Sequence, residues 1–242
     1  NKGQMFTTLC DLSIGKDKHL VLARDVQLHP VTDVVQHIDF LRKKIFQTQT
    51  KWPHYELLLS DLQELAAQAT PGEQVACLER AYIYGGVSLF AAFFNQDDFL
   101  AVDCHTESAS QRGAYQKSWL EDEPQALKIK AQVTATVANT TLPDNSVNTL
   151  IIPNLVHHVR DQDSMFSEFA RLLKPGGTGY IFEALIRELH QAPDDYLRYT
   201  PWGFEDILAR HGLKMTEWRP AGSAFEAIAY CWDQALQYFP EQ

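Results

Sequence analysis

The sequence predicts an α/β protein, with a mostly parallel seven-stranded sheet, helices on both faces and an N-terminal strand and helix extension. Three observations predict it. From Val75 onward, strand-like apolar runs alternate with amphipathic helical runs. The joints between them are short, as in a parallel sheet covered on both sides. The last two strand-like runs, "LKMTEWR" and "AFEAIAYCW", are joined only by "PAGS". That joint is too short for a crossover, so a C-terminal antiparallel hairpin is expected.

The elements follow in order. "HLVLARDVQL" reads as a strand or hairpin arm, and "TDVVQHIDFLRKKIF" as a helix with Val34, Ile38, Leu41 and Ile45 at helical spacing. "YELLLSDLQELAAQA" is an amphipathic helix with Leu58, Leu62, Leu65, Ala66 and Ala69 on one stripe, stopped by Pro71 and Gly72. "VACLE" is an apolar strand and "GGVSLFAAFF" a buried helix. "DFLAVD" is a strand, and "SASQRGAYQKSWL" a helix with Ser108 and Gln111 spaced as a capping box. "AQVTATV" and "NTLIIP" are strands. "DSMFSEFARLL" is a helix with Asp163 at its N-cap, ended by "KPGG". "TGYIFE" is a strand. "TPWGFEDILARHG" is a helix with Thr200 at N-cap, Pro201 at N1 and Gly212 past its end.

Composition narrows the function. The chain has 242 residues, 45% hydrophobic and 21% charged, enough for a sizeable core. Its net charge is 21 − 31 = −10. That balance disfavours nonspecific binding to nucleic acid or an anionic membrane. The longest apolar run, Val87 to Phe94, is far short of a bilayer span. Cys10, Cys77, Cys104 and Cys231 are scattered without metal-ligand spacing, which fits reduced thiols in a cytoplasmic protein. Cys77 and Cys231 lie in strand-like runs and read as small core residues. "DCHTE" gathers Cys104, His105 and two carboxylates, but no second segment completes a metal site.

The run "LPDNSVNTLIIPNLVHHVRDQDSMFSEFARLLKPGGTGYIFE" carries Leu142-Pro143, Glu168, Arg171, Leu172, Leu173 and Lys174-Pro175-Gly176-Gly177. With these, residues 56–232 resemble the class I S-adenosylmethionine-dependent methyltransferases, of the type 11 kind. The resemblance implies a Rossmann-like fold over residues 56–242, with residues 1–55 as an extension serving as lid or interface. "HQAPDDYLRYTPWGFEDILARHGL" resembles a subgroup of these enzymes, several of which act in glycan or small-metabolite pathways. The resemblance further implies S-adenosylmethionine as cofactor and methyl transfer to O or N of a small-molecule or sugar acceptor.

The resemblance places the cofactor site at the turn "ERAYIYGG". Glu79 fills the acidic place that ends the first strand of the domain. Ala81 and Ile83 stand where the family has its first two glycines, and Gly85 is the third. Glycine serves there for positive φ and for close approach of backbone to ligand, and β-branched isoleucine suits neither. Asp103 takes the place that grips the ribose hydroxyls, and Asn139 the place near the adenine. Two readings stay open: a remodelled cofactor loop, or a loop whose tyrosines fill the former pocket in a catalytically inactive binding or scaffold subunit. His157 and His158 follow a strand at the ligand edge, one expected inward and one at the surface. With His190 they are the candidate bases. Tyr196 and Arg198 lie in a long connection suited to substrate contact, beside Asp194 and Asp195. The expected partner is a small-molecule substrate or a protein, with no nucleic acid, no membrane, and a homodimer as an open assembly.

Overall fold

A computed structural model describes residues 7–13, 36, 38, 39, 41, 53–105, 129–187, 189 and 193–236. The strands are β1 (Thr7–Ser13), β2 (Val75–Glu79), β3 (Phe99–His105), β4 (Val133–Thr136), β5 (Val147–Pro153), β6 (Leu173–Ala184) and β7 (Lys214–Pro220). The helices are α1 (Pro53–Gln68), α2 (Gln162–Leu172), α3 (Pro201–Arg210) and α4 (Ala224–Leu236). The strands form one sheet in the order β4-β3-β2-β5-β6-β1-β7. The first five in that order pair in parallel. β1 is antiparallel to both of its neighbours.

Successive side chains of a strand point to opposite faces, and the core divides accordingly. Ala76 and Leu78 of β2 join Val102, Ile152 and Ile181 under Phe166 and Phe169 of α2 and Phe204 of α3. Val75 and Cys77 join Ala101, Ile151, Tyr180 and Phe182 under Leu58, Leu59 and Leu62 of α1. A buried polar cluster fastens α1 to the sheet. Tyr180 Oη donates to Asp61 Oδ2 at 2.9 Å, and Arg219 Nη2 lies 3.0 Å from Asp61 Oδ1. Burial holds the Asp61 carboxyl above its usual range, against the opposing pull of Arg219 and Tyr180.

Several expectations are corrected. The C-terminal hairpin is absent: "AFEAIAYCW" lies in helix α4, and β1 takes the place beside β7. The overlooked signal is Ser223-Ala-Phe-Glu226, a capping box. The Glu226 carboxylate accepts from the Ser223 backbone N–H at 2.7 Å and from its hydroxyl. Cys231 accordingly sits half-buried on a helix, while Cys77 is a fully buried core residue. Among the described residues, Cys77, Cys104 and Cys231 form no disulfide.

"GGVSLFAAFF" is no helix beyond a single 3-10 turn at Ala91–Phe93. The N-cap of α2 is Asp161, which accepts from Ser164 N at 3.0 Å. Asp163 instead meets Arg210 at 2.8 Å. "KPGG" lies within β6, where the pairing register with β5 steps from Leu173 to Thr178. A Cβ on Gly177 would come within 3.0 Å of the Asn148 and Lys174 carbonyl oxygens, so the step depends on a residue without one.

Ile38 and Leu41 are buried as their spacing requires. "HLVLARDVQL", the Ser108–Gln111 box and His190 lie outside the described residues. Among the described residues, no helix is long and apolar enough to cross a membrane, and no cluster suits a metal ion.

Candidate functional site

Glu79 ends β2 and pairs in register with Asp103, near the end of the adjacent parallel strand β3. This places two carboxylates side by side at the carboxyl edge of the sheet, where ligands of open α/β sheets bind. Each is already engaged. Glu79 Oε1 accepts the Ser88 hydroxyl, and Oε2 accepts Leu89 N–H at 3.0 Å. Ser88 Oγ in turn accepts Phe90 and Ala91 N–H at 3.3 and 3.1 Å. These side-chain acceptors satisfy the backbone that a helix would otherwise have satisfied, which is why "VSLFAAFF" can stay irregular. Burial pushes the Glu79 carboxyl up to about 7, with Asp103 adding to the rise and the Ser88 and Leu89 bonds opposing it.

The turn between them solves the glycine problem in its own way. Ala81–Tyr84 forms one 3-10 turn, and none of its residues has positive φ. Positive φ is confined to Gly85 (70°) and Gly86 (81°). Gly86 N–H bonds Ala81 O at 2.8 Å, and Lys130 Nζ reaches Gly85 O at 3.0 Å. Ala81 is fully buried and Ile83 is 7% exposed, so the isoleucine faces inward.

Asp103, itself 6% exposed, is drawn into this turn. Its Oδ1 accepts Tyr82 N–H at 2.8 Å, and its Oδ2 lies 3.3 Å from His105 Nε2. The Tyr82 ring rests on His105 with centroids 4.8 Å apart. Asn139 reaches the same edge by a different route. It closes the turn after β4, with its side chain accepting Thr141 N–H at 3.3 Å, and it is exposed.

The histidine pair differs from expectation. His157 and His158 lie on one 3-10 turn and are both buried, 2% and 1% exposed, with rings 3.8 Å apart. His157 Nδ1 lies 2.5 Å from Glu183 Oε2, and Glu183 Oε1 accepts Val156 N–H at 2.6 Å. Sequence reading missed Glu183; a carboxylate ending the strand "TGYIFE" was the available signal. His158 Nδ1 meets the Asp194 carbonyl. The connection that follows folds over these rings. Tyr196 N–H donates to His157 O at 2.9 Å, its hydroxyl donates to Asp194 at 3.1 Å, and Arg160 stands 5.2 Å from its ring. Burial, then Asp194, raise the Tyr196 hydroxyl above the usual tyrosine range. Arg198 forks onto Asp195. Of the sequence-predicted pair, Tyr196 is thus brought to the histidine turn, whereas Arg198 is shown bonding within its own connection.

Comparison with known proteins gives two separate matches. Residues 85–181 match a family described as a methyltransferase domain, beginning just after the Ala81–Tyr84 turn. Residues 2–40 match the ribosomal L25p family. The large ribosomal subunit protein bL25 of Paramagnetospirillum magneticum is 58% identical over 43 residues, 17% of this chain and 21% of that protein. That of Ehrlichia canis is 62% identical over 34 residues, 14% of this chain and 16% of that protein. The chain therefore spans only about a fifth of the length of these curated relatives.

Solved structures of similar shape include the YcgJ protein of Bacillus subtilis, with 16% identity, TM-score 0.45 and coverage of 64% of this chain and 68% of that one. A Haloferax volcanii protein in complex with the Trm112 methyltransferase activator has 17% identity, TM-score 0.48 and 83% coverage of both chains. Phosphoethanolamine N-methyltransferase 2 of Haemonchus contortus, in complex with S-adenosyl-L-methionine, has 17% identity, TM-score 0.41 and coverage of 73% and 44%. Residues 85–181 thus match the methyltransferase-domain family, and the chain's resemblance to class I S-adenosylmethionine-dependent methyltransferases holds.

Proposed function

We propose that this protein keeps the methyltransferase architecture while its own turn closes the adenosyl place, so that it serves as a binding or scaffold subunit. The observation that carries this reading is the Asp103 carboxylate. A family member implies S-adenosylmethionine, and the ribose hydroxyls of that group would have to share this carboxylate with the contacts it already makes. Here Oδ1 holds Tyr82 N–H and Oδ2 faces His105. The residues as arranged do not fit the group. Displacing a bond to a charged acceptor costs about 1.5–3 kcal/mol. The buried Ile83 must also leave its place before backbone can approach a ligand. In this reading residues 1–55 form the contact extension and residues 56–242 the methyltransferase-like domain. Partners are a protein or a small molecule.

One observation favours a second reading, S-adenosylmethionine-dependent methyl transfer to a small-molecule or sugar acceptor. Glu79 and Asp103 are both kept, side by side in register. Glu79, Ala81, Gly85, Asp103 and Asn139 would then hold the cofactor. His157, His158 or His190 would take the proton, and Tyr196 and Arg198 would meet the acceptor. Calorimetric titration with S-adenosylmethionine and S-adenosylhomocysteine separates the two. The first reading expects no saturable heat at millimolar ligand, and a gain of binding in the Ala81→Gly/Ile83→Gly double variant. Saturable binding that disappears in Asp103→Ala overturns it in favour of the second.

A further inference from the structure

Helix α4 is apolar on two opposite faces. Ala227 and Tyr230 turn toward the sheet, where they share a hollow with Phe182 and Ala184 of β6. Tyr230 meets His54 there edge-on at 5.2 Å. The other face carries Phe225, Ile228, Trp232 and Leu236, spaced by three, four and four residues. At 3.6 residues per turn, that spacing sets all four within an arc of about 80°. They are 81%, 63%, 65% and 49% exposed. Half of the large apolar side chains left exposed among the described residues are therefore gathered on one helix face. Scattered singly they would need no explanation, but a contiguous stripe does.

Area and charge decide what covers it. An aromatic side chain offers about 150–250 Å², so at these exposures the four present roughly 550 Å². Two such stripes would remove roughly 1,100 Å² from water, above the ~1,000 Å² that a specific interface requires. The charge pattern disfavours a lipid surface. The only charged residues of α4 are Glu226 and Asp233, whereas helices that lie in a bilayer interface carry Lys and Arg beside their apolar face. Both carboxylates stand on one flank, about 80–100° from Phe225, so the stripe itself is uncharged. The order of the side chains is self-complementary. Laid antiparallel about a two-fold axis, Phe225 faces Leu236 of the partner subunit, and Ile228 faces Trp232 of the partner subunit. Each aromatic ring then meets a branched aliphatic chain rather than another ring.

We propose that α4 is a self-association face through which two copies of this chain pair as antiparallel helices. The proposal takes no residue from the Ala81–Tyr84 turn or its carboxylates, so it stands or falls independently of the cofactor titration. The test is sedimentation equilibrium of the full chain at micromolar concentrations. The wild type should show a reversible dimer, twice the 27.5 kDa of one chain. Trp232→Glu should raise the dimer dissociation constant at least about a hundredfold, since the symmetry places the change in the interface twice. Its far-ultraviolet circular dichroism should be unchanged, because that side chain is exposed in a single copy. Ile228→Lys should weaken association likewise. An equimolar mixture of the two variants should regain the dimer. Antiparallel pairing sets the two introduced charges, of opposite sign, against each other and keeps one native pair. Added salt should tighten the dimer, since the two-fold brings the Glu226 and Asp233 flanks of both copies to one rim. A wild type that keeps the mass of one copy, a dimer that survives Trp232→Glu, a mixture that stays monomeric, or association that salt loosens would each overturn the proposal. A single-copy mass together with cosedimentation on phosphatidylcholine vesicles would overturn it in favour of a lipid surface.

Discussion

Replacing Glu79 with glutamine should remove the pH dependence that this carboxyl imposes on the fold. The group sits in the buried layer between β2 and Ser88, and burial raises it from 4.5 to about 7. Between those values the folded chain holds a proton that the unfolded chain has released. Stability therefore falls as pH rises through that window and stays low above it. At about 1.4 kcal/mol per pH unit, the full effect is on the order of 3 kcal/mol. Glutamine cannot ionise, yet its carbonyl can accept Leu89 N–H and its amide can donate to Ser88 Oγ. Wild type minus Glu79→Gln stability, from urea unfolding followed by circular dichroism, should thus drop by about 3 kcal/mol between pH 4.5 and 8. A difference that stays level across that range would refute the claim that a buried, reluctant carboxylate underlies the turn.

The other predictions concern the supports of the site. Tyr180→Phe removes one donor from buried Asp61 and should cost about 1–3 kcal/mol, read as a lowered Tm with α1 loosened in hydrogen exchange. Arg171 bonds Glu168 through Nε and Nη2 at 2.7 Å each and reaches the Leu142 carbonyl at 2.7 Å. Breaking a buried pair costs about 3–5 kcal/mol, but this side chain is 31% exposed, so Arg171→Ala should cost about 2 kcal/mol in urea unfolding. Arg171→Lys should recover only part of it, since an ammonium lacks the fork. Thr200→Ala removes the cap that accepts Gly203 N–H at 3.2 Å and should cost about 1 kcal/mol by the same measurement.

What the sequence made legible was whatever a local pattern dictates. "VACLE" is apolar at every position because β2 is buried on both faces. Thr200, Pro201 and Gly212 marked the bounds of α3 because cap chemistry is local. The histidine turn was placed at the right edge, but the direction of its two rings was not readable. That direction depends on Glu183 and the Asp194 carbonyl, 26 and 36 residues away. "GGVSLFAAFF" misled because apolar content alone cannot separate a helix from a buried irregular segment held by Ser88 and Glu79. The C-terminal run misled in the opposite sense. The strand-like run after a short joint suggested a strand, while the Ser223–Glu226 box and Ala224, Ala227 and Ala229 favoured the helix that is found. The bend of the Ala81–Tyr84 turn followed a rule that was visible, positive φ only at glycine, but its grip on Asp103 joins residues 21 apart and was not.

The most direct measurement is a crystal structure of the chain soaked with S-adenosylhomocysteine at millimolar concentration. Should the peptide nitrogen of Tyr82 stay about 2.8 Å from its aspartate acceptor, with nothing bound above it, the sealed turn is right. Density for a nucleoside whose sugar oxygens rest on that aspartate, with the isoleucine swung outward, would contradict it.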